Sequence, residues 1–173
     1  MTKNALLPAL CILSATALVP VFAQEAAPVL AVDTTAAEAA GDETALTPLA
    51  RWQADATTIF EAAEVSLDAF KWVARPVVIF ADAPQDPAFI EQVALLRDRI
   101  DELALRDVVV ITDTDPEGRS AIRQRLRPRG FMLALLGKDG EVKLRKPFPW
   151  DVRELTRSID KMPMRQREIR ERR

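Results

Sequence analysis

Phe131-Met132-Leu133-Ala134-Leu135-Leu136-Gly137-Lys138-Asp139-Gly140-Glu141-Val142-Lys143-Leu144-Arg145 is the stretch that decides how this chain folds. Its first six residues are an unbroken apolar run, as expected of a strand covered on both faces. Asp139 tolerates a positive φ and Gly140 pays no Cβ penalty there, so the chain is expected to reverse as a hairpin. After the turn, Val142 and Leu144 alternate with Glu141, Lys143 and Arg145, which places one face on a core and the other in water. A strand this charged suits a sheet edge. Asp151 then reads as a helix N-cap, with Glu154 completing a capping box and Trp150 stapling Leu155. Val152, Leu155, Ile159 and Met162 share one side of that helix.

Upstream, Val77-Val78-Ile79-Phe80 follows Pro76 as a short buried strand, and Asp107 to Thr112 is a second, carried by Val108, Val109, Val110 and Ile111. Between them Asp86 caps a helix with Pro87 at its first position, and Phe89, Val93, Leu96, Ile100 and Leu103 form a single apolar stripe. Strand, helix and strand make a parallel, right-handed βαβ unit. Ser120 to Leu126 is a short helix with Ile122 and Leu126 on one side, and Leu49 to Ala63 reads as a helical extension holding Trp52, Ile59 and Phe60. Trp52, Trp72 and Trp150 are all expected in the core rather than in a stacking surface. The element order is β-α-β-α-β-β-α. It predicts an α/β three-layer sandwich of thioredoxin-like type with a mixed four-stranded sheet, over residues 49–162.

Three segments carry a resemblance to a known group: Trp72-Val73-Ala74-Arg75-Pro76-Val77-Val78-Ile79-Phe80, Arg106-Asp107-Val108-Val109-Val110, and Gly137 to Arg145. They resemble a bacterial, exported family of unknown function that is similar to the DUDES domains of secreted animal sushi-repeat-containing proteins. The resemblance spans about Phe70 to Ile159 and implies a thioredoxin-like scaffold without implying an activity. In redox members of that fold a Cys-x-x-Cys follows the first strand at the head of the next helix, where the helix end lowers the thiol pKa. Here Asp82-Ala83-Pro84-Gln85-Asp86-Pro87 stands in that place. A proline before the third strand is the other usual feature, and Pro128 lies early for it.

The flanks set the expected compartment. Lys3 precedes an apolar run from Ala5 to Phe22, and Val21-Phe22-Ala23 offers small residues for cleavage, so residues 1–23 read as a signal peptide. Pro8 and Pro20 interrupt the run, which argues against a retained membrane anchor, and bulky Leu10 before Cys11 argues against a lipoprotein site. Cleavage removes Lys3, leaving 23 of the 24 basic residues against 26 acidic ones, a net charge near −3. It also removes Cys11, the only cysteine. Residues 24–48 carry Glu25, Asp33, Glu38, Asp42 and Glu43 with no basic residue, a composition expected to be a disordered acidic linker. From Lys161 the chain turns basic. Pro163 is expected to end or kink the helix, and 163–173 to be a solvated basic tail.

Missing residue types exclude much chemistry. A mature chain without a thiol cannot perform disulfide exchange. The sequence has no histidine and no tyrosine, so Ser-His and Cys-His arrangements and the commonest metal ligand are absent. Five glycines, none clustered, cannot build a phosphate-cradling loop. Carboxylates remain. Asp82 and Asp86 follow the first strand, Asp113, Asp115 and Glu117 follow the second, and both loops emerge at the carboxyl edge where α/β sheets bind ligands. Asp113 to Gly118 has the oxygen spacing of a calcium loop, but a strand precedes it and Gln124 stands where a closing glutamate belongs. Asp82, Asp113, Asp115 and Glu117 are the metal candidates, against a plainer reading as caps and loop solvation.

The expected function is therefore an exported, non-catalytic thioredoxin-like module, periplasmic or secreted, with no cofactor. Its expected partner is a periplasmic or extracellular protein, with no nucleic acid and no stable membrane anchor after cleavage. The alternative is an auxiliary redox or peroxidase-related enzyme, or a metal-dependent one using carboxylates at the sheet edge.

Overall fold

A computed structural model describes residues 46–172. The expected signal peptide, all but the last three residues of the expected linker, and Arg173 lie outside the described residues. Five strands form one sheet: β1 (Ile59–Glu61), β2 (Arg75–Phe80), β3 (Val108–Asp113), β4 (Met132–Leu136) and β5 (Val142–Lys146). Their order is β1-β3-β2-β4-β5. β3 runs parallel to both β1 and β2, whereas β4 is antiparallel to β2 and β5 to β4. Among the described residues six α-helices and a short 3-10 helix (Leu67–Phe70) accompany them: α1 (Pro48–Ala54), α2 (Pro87–Asp98), α3 (Ile100–Ala104), α4 (Ala121–Leu126), α5 (Val152–Asp160) and α6 (Pro163–Glu171).

Successive side chains of a strand point to opposite faces, and the three central strands supply both cores. Val78, Phe80, Val109, Ile111, Ala134 and Leu136 pack on one face with Trp52, Phe70, Ile122 and Leu126. Val77, Ile79, Val108, Val110, Leu133 and Leu135 pack on the other with Leu96, Leu103, Leu155 and Ile159. The result is the expected three-layer thioredoxin-like arrangement. β4 is buried throughout, and β5 is the charged edge strand. Gly140 takes φ 80° in the turn between them, as the hairpin requires.

Several expectations need correction. The sheet has five strands rather than four because Ile59 to Glu61, read as helix, is an edge strand. Asp55 ends α1 in an extended conformation and accepts from both the backbone N–H and the hydroxyl of Thr57, and the β-branched Thr57-Thr58-Ile59 run then favours extension. The helix expected from Phe89 through Leu103 is two, broken at Arg99, and α3 restarts with Asp101 and Glu102 where carboxylates suit a helix N-terminus. Val142 lies exposed at 37% instead of facing the core, next to an irregularity in the β4–β5 pairing. Glu154 pairs with Arg157 and does not close a capping box, although Asp151 caps α5 through Arg153 N–H. Trp52 is buried, with its indole N–H on Val108 O at 3.2 Å, and Trp150 is partly buried, but Trp72 is 63% exposed.

The largest correction is at the carboxyl terminus. Pro163 opens α6 at its first turn, where a missing N–H costs nothing. This helix is tied to the amino edge of the sheet by a network of ions. Arg75, 1% exposed, donates to Glu168 Oε1 at 2.7 Å and to Arg106 O at 2.8 Å. Lys138 Nζ reaches the same Glu168 oxygen at 3.1 Å and Asp107 Oδ2 at 2.8 Å. Arg165, also buried, donates to Leu105 O at 3.2 Å. Burial alone would raise the Glu168 pKa, but the hydrogen bonds and charges of Arg75 and Lys138 outweigh it and lower it to about 2.

Candidate functional site

The parallel strands β1, β3 and β2 open their carboxyl ends to one edge, the usual ligand side of an α/β sheet. Asp113 ends β3 almost buried, at 5% exposed. Arg123, from the second residue pair of α4, donates from Nε to Asp113 Oδ1 at 2.9 Å and from Nη2 to Ala81 O at 2.8 Å. Its guanidinium also lies 5.5 Å from the centre of the Phe80 ring. Ser120 donates its hydroxyl to Asp113 Oδ2 at 2.6 Å while its oxygen caps α4 by accepting the Arg123 N–H at 3.0 Å. One arginine thus ties together the ends of β2 and β3.

The four metal candidates take different places. Asp113 is occupied by Arg123 and Ser120. Asp82 is brought near it only through the same arginine, 3.7 Å from Arg123 Nη1, and its side chain is 64% exposed. Asp115 turns back on its own loop and accepts from the N–H groups of Glu117 and Gly118, both at 3.0 Å. A Cβ at Gly118 would stand 2.5 Å from Asp115 Oδ2, so glycine lets that loop close. Glu117 is exposed. Asp86 caps α2 through Ala88 and Phe89 N–H. Among the described residues no three acidic, histidine or cysteine side chains are grouped to hold a metal ion.

Beside this assembly lies a cleft of about 470 Å³ between the ends of β1 and β3 and the start of α4, with Glu61, Thr112, Thr114, Asp115, Arg119 and Ser120 on its walls. On the other side, residues 82–85 are exposed, and Gly130, at φ 65°, brings the start of β4 close to Asp82. Arg127 and Arg129 are exposed along that approach. The edge offers polar walls, cations and the carboxylates of Glu61, Asp82, Asp113, Asp115 and Glu117, and among the described residues it offers no thiol or imidazole.

Sequence reasoning missed Arg123 and Ser120, the residues that organise this edge. A signal was present. Ser120 is a cap residue and Arg123 lies three positions on, next to the apolar pair Ile122 and Leu126, so its stem had to start from the buried side of α4. It missed Arg75 as well, although a charge inside an otherwise buried strand demands a partner.

A mixed sheet in this order, with helices on both faces, defines a thioredoxin-like α/β protein. Residues 66–168 match the model of the family described as Domain of unknown function (DUF4174), and the chain belongs to that family. No curated protein matches it. Among solved structures it is similar to Plasmodium yoelii thioredoxin peroxidase I at 15% identity and a TM-score of 0.48, covering 60% of this chain and 81% of that one. A structure of Plasmodium yoelii Prx1a modified at its N-terminus gives the same identity and TM-score over 60% and 82%.

Proposed function

We propose that this chain is an exported, non-catalytic thioredoxin-like module that binds a protein or other surface through the carboxyl edge of its sheet. One observation carries the reading: the loop at the head of α2 presents Asp82, Ala83, Pro84 and Gln85 to solvent where redox members of the fold hold thiols. Asp113, the best-placed carboxylate for acid–base or metal chemistry, is engaged by Arg123 and Ser120. That favours binding over the enzymatic alternative. The leader-like residues 1–23 support a periplasmic or secreted location, and the three motif segments support kinship with the DUDES domains of secreted animal proteins.

The chain from Gln24 onward is expected to give no turnover in insulin reduction or thiol-dependent peroxide consumption. Turnover above background would overturn the non-catalytic reading. A photo-crosslinking residue at Gln85 should yield a discrete, reproducible adduct in periplasmic extract, and its absence would remove the support for binding at this edge. Export predicts that protein recovered from the periplasm or medium begins at Gln24 on N-terminal sequencing.

A further inference from the structure

Two of the non-glycine residues with left-handed backbone, Trp72 at φ 66° and Asp107 at φ 53°, stand at the amino ends of β2 and β3. For aspartate that conformation is common, whereas for a bulky aromatic residue it is strained. Neighbouring hydrogen bonds impose it. Trp72 N–H donates to Lys138 O at 2.6 Å, Val73 and Ala74 N–H both return to Phe70 O, and Arg75 N–H donates to Asp107 O at 2.6 Å. What this strain holds in place is an indole that is 63% exposed. Strain maintained by the surrounding structure, with a large side chain set out in water, points to a binding role.

The surroundings indicate the partner. Leu105, 68% exposed, lies at the same edge, its carbonyl held by Arg165 of α6. α6 turns Arg165 and Glu168 inward and leaves Arg167 and Arg170 exposed, neither paired with a carboxylate among the described residues. Arg172 meets only Asp107, at 3.7 Å, and Lys71 is exposed beside Trp72. The carboxylates on this side are Glu171 on α6, Asp101 and Asp68 at the margins, and Asp139 and Glu141 on the β4–β5 turn, the last two both paired with Lys143 at 2.6 and 2.9 Å. Separate apolar side chains standing among exposed arginines suit a headgroup layer, where tryptophan seats at the interface and arginines meet anionic phosphates.

We infer that this amino edge is a peripheral docking surface for an anionic lipid bilayer, with Trp72 as its interfacial anchor and Arg167 and Arg170 as its phosphate-facing cations. It lies at the opposite edge from the proposed partner site and does not depend on it.

The test uses the chain from Gln24 onward, without the apolar run of residues 5–22, with phosphatidylglycerol–phosphatidylcholine vesicles and with phosphatidylcholine vesicles alone. Binding is expected to the anionic vesicles only and to weaken with salt. Trp72→Asn, which suits the left-handed backbone, should lower partitioning roughly tenfold. Arg167→Gln with Arg170→Gln should lower it by about fivefold for each charge removed. Lipids brominated on their acyl chains should quench wild-type emission and lose most of that quenching in Trp72→Asn, since Trp52 is buried and Trp150 is packed against the core beyond β5. All three positions are exposed, so melting temperatures should stay near wild type.

No binding, or equal binding to both vesicle types that neither variant changes, would overturn the inference. So would binding that needs the arginines but not Trp72. Binding to a polyglutamate peptide in place of vesicles, abolished by Trp72→Asn, would assign the surface to an acidic protein instead.

Discussion

The two ends of the β2–β3 pair are each tied by an arginine, buried Arg75 at one and little-exposed Arg123 at the other, and they are finished in opposite ways. At the carboxyl end Arg123 joins Asp113, ten residues away in sequence, to Ala81 O, 42 residues away, and the flanking loops stand open to solvent. At the amino end Arg75 meets Glu168 across 93 residues, and α6 lies over the junction. Arginine therefore locks two strand ends to each other at one edge and clasps a distant helix onto the sheet at the other. The locked edge keeps its shape and leaves the loop of residues 82–85 open to solvent. The clasped edge depends on the end of the chain, so its stability and its exposed Trp72 and arginines come as one unit.

Removing the clasp should have the largest effect. Arg75→Met leaves Glu168, Asp107 and the Arg106 carbonyl facing an apolar side chain, and should cost about 4–5 kcal/mol in urea unfolding, with loss of hydrogen-exchange protection across α6. A loss confined to the strands, with α6 still protected, would break the picture of a clasp. Arg123→Met should cost somewhat less, about 3 kcal/mol, because Ser120 still donates to Asp113. Its exchange changes should stay within the β2–α2 and β3–α4 loops, and spread to α6 would erase the distinction between the two ends.

Glu168→Gln should have the smallest effect at neutral pH, about 2 kcal/mol for weakening charged hydrogen bonds. Its pH dependence sharpens the comparison. Glu168 titrates near 2 in the folded chain, below its ordinary value of 4.5, so its contribution is complete above that ordinary value and is lost as pH falls toward 2. In thermal melts the wild-type advantage over Glu168→Gln should therefore shrink through that acid window. An advantage unchanged down to pH 2 would show that the Arg75 and Lys138 contacts do not hold the carboxylate as described.

Much of the scaffold is legible residue by residue. The Phe131–Leu136 run had to be a covered strand, Asp139-Gly140 had to turn, and Asp86-Pro87 and Asp151 had to begin helices, because each signal is local and sterically strong. The misread elements are those where context overrides local preference. Ile59-Phe60 carries apolar residues that fit helix or strand, and only the free edge of β3 makes it β1. Pro163 breaks the preceding helix and equally starts another, and it does so here because Arg165 reaches Leu105 O and Glu168 reaches buried Arg75. Of the site, the sequence located the acidic loops but not their organiser, since nothing in the order of residues reveals that Arg123 reaches both Asp113 and Ala81.

By itself the sequence determined the α/β order, the hairpin, the absence of histidine, and the Asp82–Pro87 loop that carries no cysteine at the carboxyl edge. Those follow from residue type and near-neighbour sterics, which travel with the chain. Only the tertiary structure decided that Asp113 is an ion-pair partner, that the basic tail is a docked helix, and that Trp72 stands in solvent. Burial and charge pairing depend on groups distant in sequence meeting in space, as Arg75 and Glu168 do, and no local pattern encodes that meeting.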